Sequence, residues 1–367
     1  MEKVRAFLAR KNITFSAKRY FIDAMSAMAQ GLFCTLLVGT ILDTIGKQFG
    51  IGFLTDTFLT IKQGDVTFYY TIGGFCSLMV GPAMAVAIGK ALEAPPLVLF
   101  SLITVGFATN VLGGTGGPLA VFFVAILAAE VGKAISKETK IDILVTPIVT
   151  ILAGIGFAAL VARPIGTAAT SVGDAIKWAT ELQPFFMGIL VSVVVGMALT
   201  LPISSAAICA ALSLTGLAGG AAVAGCCAQM VGFAVMSFRE NGVGGLVSQG
   251  LGTSMLQMPN IIRNPRVWIP PTLASAITGP IATCLFHLEM NGPAVSSGMG
   301  TCGLVGQIGV YTGWLNDIAA GTKAAILPMD WVGLILICFV LPAVLTLLFA
   351  FFLRKWGWIK GGDLKLQ

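Results

Sequence analysis

Trp331-Val332-Gly333-Leu334-Ile335-Leu336-Ile337-Cys338-Phe339-Val340-Leu341-Pro342-Ala343-Val344-Leu345-Thr346-Leu347-Leu348-Phe349-Ala350-Phe351-Phe352-Leu353 is a run with no charged residue. About 20 apolar residues suffice for a helix to cross a bilayer core of roughly 30 Å. The run closes on Arg354-Lys355-Trp356-Gly357-Trp358, the basic and aromatic pattern that anchors a helix end at the cytoplasmic interface. Similar runs recur at Ala24–Ile45, Tyr69–Leu92, Pro96–Leu112, onward to Val131, and at Ile141–Val161, Phe185–Leu201, Ala206–Phe238 and Trp268–Leu288. Of 367 residues, 56% are hydrophobic and 10% charged, against roughly a quarter charged in soluble domains. The composition excludes a soluble enzyme. It predicts an all-α polytopic membrane protein with about nine to ten transmembrane helices and two re-entrant hairpins.

Charge then sets orientation. Six basic residues, Lys3, Arg5, Arg10, Lys11, Lys18 and Arg19, fall in the first twenty. That is too charged for a cleaved signal peptide and fits a cytoplasmic amphipathic helix. With Arg354 and Lys355 at the other end, both termini are expected in the cytoplasm of a bacterium, the protein lying in the inner (plasma) membrane. The net charge of +6 comes from short connections such as Lys133 to Lys140, so it reports topology and not a nucleic-acid partner. The eight cysteines sit in apolar stretches without C-x-x-C spacing, beside a single histidine. They read as small packing residues, with no metal site and no cofactor.

The apolar pattern is interrupted in informative places. Gly113-Gly114-Thr115-Gly116-Gly117-Pro118 predicts a helix break. A segment with Asp56, Lys62 and Asp65 reads as membrane surface. After Arg163-Pro164, the stretch Gly166–Gln183, with Asp174, Lys177, Trp178 and Glu181, reads as an interfacial helix. From Asn241 to Asn264 glycines alternate with Ser248, Gln249, Thr253, Ser254, Gln257 and Asn260, which predicts a re-entrant hairpin. Irregular backbone at membrane depth persists only where protein or a watery cavity satisfies it. Asn291–Trp314 is a second polar, glycine-rich segment. Two such segments in one chain point to a solute site near the midplane, here in the C-terminal half.

Gly250-Leu251-Gly252-Thr253-Ser254-Met255-Leu256-Gln257-Met258-Pro259-Asn260, continuing through Asn264-Pro265 to Ile269-Pro270, resembles the hairpin signature of the EIIC membrane subunits of the phosphotransferase system. It resembles in particular a divergent EIIC family of the perfringolysin-regulator type. The basic N-terminal helix running into the first span is similar as well. The resemblance implies a homodimeric, elevator-type permease for a sugar or related carbon source. Residues 1–20 would be the cytoplasmic helix, 21–163 the scaffold and dimerisation region, and 164–184 the interfacial helix. Residues 185–330 would be the transport region, and 331–367 the last transmembrane helix and cytoplasmic tail. It also implies a separate cytoplasmic IIB-type protein as phosphoryl donor, since no IIA or IIB sequence is fused, and no covalently modified residue in this chain. Where the family places its substrate-binding glutamate, this chain carries Thr253. That departure leaves two further readings open: a secondary transporter uncoupled from phosphorylation, and a membrane sensor or regulator.

The residues expected to meet a small polar solute are Thr253, Ser254, Gln257, Asn260 and Asn264, neutral donors and acceptors suited to hydroxyls, together with His287, Glu289 and Asn291 at the end of an apolar run. The same amides could instead satisfy local backbone, and His287 with Glu289 could lie in interfacial water. No catalytic residue is expected. Apart from the solute, lipid and a second copy are the expected partners.

Overall fold

The computed structural model describes residues 2–63, 66–180 and 182–366. Asp65 and Glu181, assigned above to the surface segment and the interfacial helix, lie outside these residues, as do the side chains of Lys3 and Lys177. The chain is helical almost throughout. Helix α1 covers Glu2–Arg10, and α2 runs over Arg19–Phe49 with π-helical turns at Arg19–Asp23 and Phe33–Leu37. Strands β1 (Leu59–Gln63) and β2 (Val66–Tyr70) form an antiparallel hairpin that pairs Leu59 with Tyr70 and Ile61 with Phe68. The span expected to begin at Tyr69 therefore starts later. Val66-Thr67-Phe68-Tyr69-Tyr70 is β-branched and aromatic, and pairing claims it before any helix can.

The second span is instead a bent pair, α3 (Ile72–Leu78) and α4 (Val80–Ala91), meeting at 49°. Helix α5 (Pro96–Gly113) and α6 (Gly117–Ile135) flank the predicted glycine break, where Gly114 takes a positive φ of 52°. They fold back on each other. Gly132 near the end of α6 packs on Val98 near the start of α5, and Lys133 Nζ donates to the Leu92 carbonyl at 3.0 Å. Helix α7 spans Asp142–Thr180 without interruption, so the separate interfacial helix expected after Pro164 is absent as an element of its own. Pro164 lacks the N–H that would bond the Leu160 carbonyl four residues back, and membrane helices tolerate such a residue where neighbouring groups and local adjustment satisfy the freed backbone.

Helices α8 (Pro184–Thr200), α9 (Ser205–Ala211) and α10 (Gly216–Met236) follow. Then come α11 (Phe238–Val247), α12 (Met258–Arg263), α13 (Ile269–Pro280), α14 (Val305–Ala319) and α15 (Pro328–Lys355). Among the described residues five helical runs are long and apolar enough to cross a bilayer, or six with the bent pair counted as one span. The protein is an all-α polytopic membrane protein. Counting the α5–α6 run twice and adding the shorter helices α8 and α13 brings the tally to nine, the lower end of the expected range.

The chain forms two compact units, unit 1 through Ala169 and unit 2 from Thr170 to Leu366. Within unit 1, Gly81 and Gly106 face each other so closely that a Cβ on either would strike the other's carbonyl, the close approach that small residues permit between membrane helices. Glu130 pairs with buried Lys133 at 3.0 Å and accepts from the Tyr20 hydroxyl at 3.2 Å. Arg10 and Lys11, at and just after the end of α1, clasp Glu138 at 2.7 and 2.5 Å, and Lys11 also donates to the Ser136 carbonyl. In unit 2, Gly188, Ser192 and Gly196 recur four residues apart on α8. There α8 packs against Gly225 of α10 and Gly279 of α13, and Ser192 Oγ donates to the Ser275 carbonyl at 2.8 Å.

Candidate functional site

The Asn241–Asn264 stretch is helical in pieces. Gly242 (φ 60°) kinks α11, a π-helical turn occupies Ser248–Gly252, Thr253 is extended (φ −157°), and a 3-10 turn covers Ser254–Gln257 before α12. Glycines weaken helix here, and the polar side chains take over the backbone groups that helix would have paired. Thr253 Oγ1 accepts from the Met255 amide at 3.2 Å, and Asn264 Oδ1 accepts from the Arg266 amide at 3.3 Å. Asn291–Trp314 breaks likewise, with 3-10 turns at Ala294–Gly298 and Cys302–Leu304 and positive φ at Gly300, Gly303 and Leu304.

The two broken segments meet inside unit 2. Thr301 Oγ1 donates to the Gly250 carbonyl at 2.5 Å, and Gly300 lies so close to α10 that a Cβ would contact Cys226. Ser254 Oγ and Thr200 Oγ1 share a hydrogen bond of 2.8 Å. Beside them, fully buried Gln229 accepts from Trp268 Nε1 at 2.9 Å and donates to Thr272 Oγ1 at 3.3 Å. Gln307 donates to Cys227 Sγ at 3.2 Å while its buried Oε1 has no protein partner. A polar interior thus runs through an otherwise apolar helical unit, and apart from Gln307 Oε1 the polar groups named there are paired.

The eight residues singled out from sequence fall into three places. Thr253 and Ser254 belong to the interior just described. Gln257, Asn260 and Asn264 form a ladder at one end of the unit. Ser237 accepts from Gln249 at 2.8 Å, Gln249 Oε1 from Gln257 at 2.7 Å, and Gln257 Oε1 from Asn260 at 2.7 Å. The remaining amide donors reach carbonyls of the segment that follows α15. Gln257 bonds Leu364 at 3.0 Å, Asn260 bonds Lys365 at 3.1 Å and Asn264 bonds Trp358 at 2.9 Å.

His287, Glu289 and Asn291 lie elsewhere, in a cleft of about 410 Å³ that also takes in Trp314, Asp317, Lys323 and Asp330. There the Asn291 amide donates to Glu289 at 3.0 Å and to both Asp317 oxygens at 3.2 and 3.0 Å. Lys323 pairs with Asp330 at 2.8 Å. His287 holds a left-handed backbone (φ 45°) at the turn out of α13, where a non-glycine residue is uncommon. Cleft and ladder stand at opposite ends of α15. Asp330 lines the cleft in its first turn, while Arg354 in its last donates to the Met236 carbonyl at 2.9 Å. Its 28 residues extend roughly 40 Å at 1.5 Å each.

Several residues of this arrangement were not singled out as site residues from sequence. Gln229 carried a usable signal, being the one amide side chain in the apolar run Gly216–Met236. Asn241, whose amide bonds the Leu364 carbonyl at 2.8 Å, and Gln249 lie inside the polar stretch already marked. Asp317, Lys323 and Asp330 carried no such signal, because short connections between spans are expected to be charged anyway.

A family model described as "Phosphotransferase system, EIIC" matches residues 22–366. No curated protein and no solved structure matches the chain.

Proposed function

The chain belongs to the EIIC family of the phosphotransferase system, and from that premise we propose that unit 2 carries a small polar solute, a sugar or related carbon source, across the inner membrane. The observation that carries this reading is the junction of the two unwound segments at Thr301 and Gly250, continuous with the polar interior around Ser254, Thr200 and Gln229. Discontinuous helices that place polar backbone and amides in the interior of a membrane unit are how transporters hold solutes between two exits. The cleft is of the size that small-molecule sites take. Its Glu289, Asp317 and Asn291 offer acceptors and a donor that sugar hydroxyls can satisfy. Movement of unit 2 as an elevator, a homodimeric assembly and a separate IIB-type phosphoryl donor on the cytoplasmic side complete the reading. In that scheme a phosphoryl group passes from the donor to a solute hydroxyl, and no residue of this chain is modified.

Thr253 favours a second reading, a secondary transporter uncoupled from phosphorylation. Its hydroxyl caps the Met255 amide where the family's signature has a carboxylate. Uptake of labelled sugars, polyols and organic acids into proteoliposomes, with and without a phosphorylated IIB-type protein and with and without a proton gradient, separates the two. Saturable uptake that requires the phosphoryl donor supports the first reading, and gradient-driven uptake without it supports the second. Binding without flux of any of these solutes would turn the function to sensing.

A further inference from the structure

Segment 358–366 follows α15 without regular secondary structure, yet it is held by amide side chains that can equally well bond a hydroxyl. Gln257 and Asn241 both donate to the Leu364 carbonyl, at 3.0 and 2.8 Å. Asn260 donates to Lys365 and Asn264 to Trp358, and Asn241 Oδ1 accepts from the Leu366 amide at 2.8 Å. Every one of these bonds reads the segment's main chain, so none depends on the side chain presented, and each can be exchanged for water or a hydroxyl. Two side chains anchor the seat, Ile359 at 2% and Leu364 at 0% exposure. Outside the seat lies Asp363, which accepts from Asn264 at 2.9 Å and from the Lys360 amide at 2.8 Å. Gly357 (φ 72°) precedes the first anchor and Gly362 (φ 92°) lies between the two, both in open space, giving the backbone freedom to swing before each of them.

We propose that segment 358–366 is an autoinhibitory latch. Seated, it occupies the amides of Asn241, Gln257, Asn260 and Asn264 and closes that end of unit 2. Released, it presents the same amides to a hydroxyl-bearing solute. The closure is one-sided, since the cleft at the far end of α15 stays open. The latch rests on the reading of unit 2 as the solute-carrying part only for its consequence, and its opening is measured without any solute.

The test uses the full chain in nanodiscs and a water-soluble maleimide, with Leu364→Cys as the probe. Fully buried Cys226 and Cys227 supply the slow end of the scale, and the same thiol in the SDS-denatured chain supplies the fast end. A latch that opens in the native state makes the thiol at 364 react at least roughly tenfold faster than Cys226 and Cys227, while remaining slower than in the denatured chain. Reaction as slow as that of Cys226 overturns the proposal, because the segment then comes away only with the core. In a parallel measurement, Leu364→Asp accelerates backbone hydrogen exchange over residues 254–263 by roughly tenfold or more and leaves α10 unchanged. Acceleration throughout unit 2, or a variant that does not fold, marks the segment as permanent core and also overturns the latch. Absence of solute uptake by the wild type, with the thiol of Leu364→Cys labelled at the open-latch rate, would refute the transport reading while leaving the latch intact.

Discussion

At Gln229 a single amide holds together three elements of unit 2, linking the Trp268 indole, Thr272 and Ser275 around the α10–α13 contact. Gln229→Leu keeps the volume and leaves the Trp268 indole N–H without its acceptor, while the Thr272 and Ser275 hydroxyls keep their bonds to the Trp268 and Pro271 carbonyls. It should lower stability by about 1–3 kcal/mol, read as a fall in the melting temperature of the detergent-solubilised protein. Asn291→Ala acts differently. It removes the donor shared by Glu289 and Asp317 at a half-exposed position, so solute uptake should fall roughly tenfold with the melting temperature almost unchanged, since groups near the surface contribute little to stability. The polarity of Gln257, Asn260 and Asn264 was plain from sequence because amides interrupt a glycine-rich stretch. Their partner was not, because an amide donates equally well to a solute, a neighbouring turn or a carbonyl some hundred residues on, and only the folded path of the chain decides among them.

Between elements, close approach is the governing quantity. A Cβ on Gly225 would run into the Ser192 backbone of α8, whereas Gly156 on α7 faces open space. Gly225→Val should therefore abolish recovery of folded protein or cost more than about 2 kcal/mol, while Gly156→Ala should be neutral or stabilising by up to about 1 kcal/mol. Denaturation midpoints of the two variants check the contrast. The docking of α1 follows pH. Glu138 is held below its ordinary carboxylate value of 4.5, first by the Lys11 hydrogen bond and then by the charge of Arg10. A depressed carboxylate contributes above its unfolded value and loses the contribution as pH falls through the folded one. Protease sensitivity of residues 2–18 should accordingly rise below about pH 4.5, and Glu138→Gln should be sensitive already at neutral pH. Most helices were legible because an apolar run of spanning length has few other solutions. The β1–β2 hairpin was obscured by Phe68, Tyr69 and Tyr70, which raise hydropathy as a membrane span does. The uninterrupted α7 was obscured by Pro164, which removes a backbone hydrogen bond and reads as a stop in sequence, although membrane helices tolerate it.

For the whole molecule, composition alone separated a membrane protein from a soluble one, and the Gly250–Pro270 signature pointed to the family that the match over residues 22–366 establishes. What neither could convey is that the candidate residues divide among the polar interior, a ladder and a cleft, the last two at opposite ends of α15, because that division depends on how α13 and α15 lie together. The central claim is that solute passes through unit 2. The most direct measurement is the rate of proteoliposome uptake for the best solute of the panel, compared among wild type, Asp317→Asn in the cleft and Ser77→Ala in unit 1. The account predicts a loss of roughly tenfold or more for Asp317→Asn, with Ser77→Ala at the wild-type rate. Undiminished uptake by Asp317→Asn, or an equal loss in both variants, would contradict it.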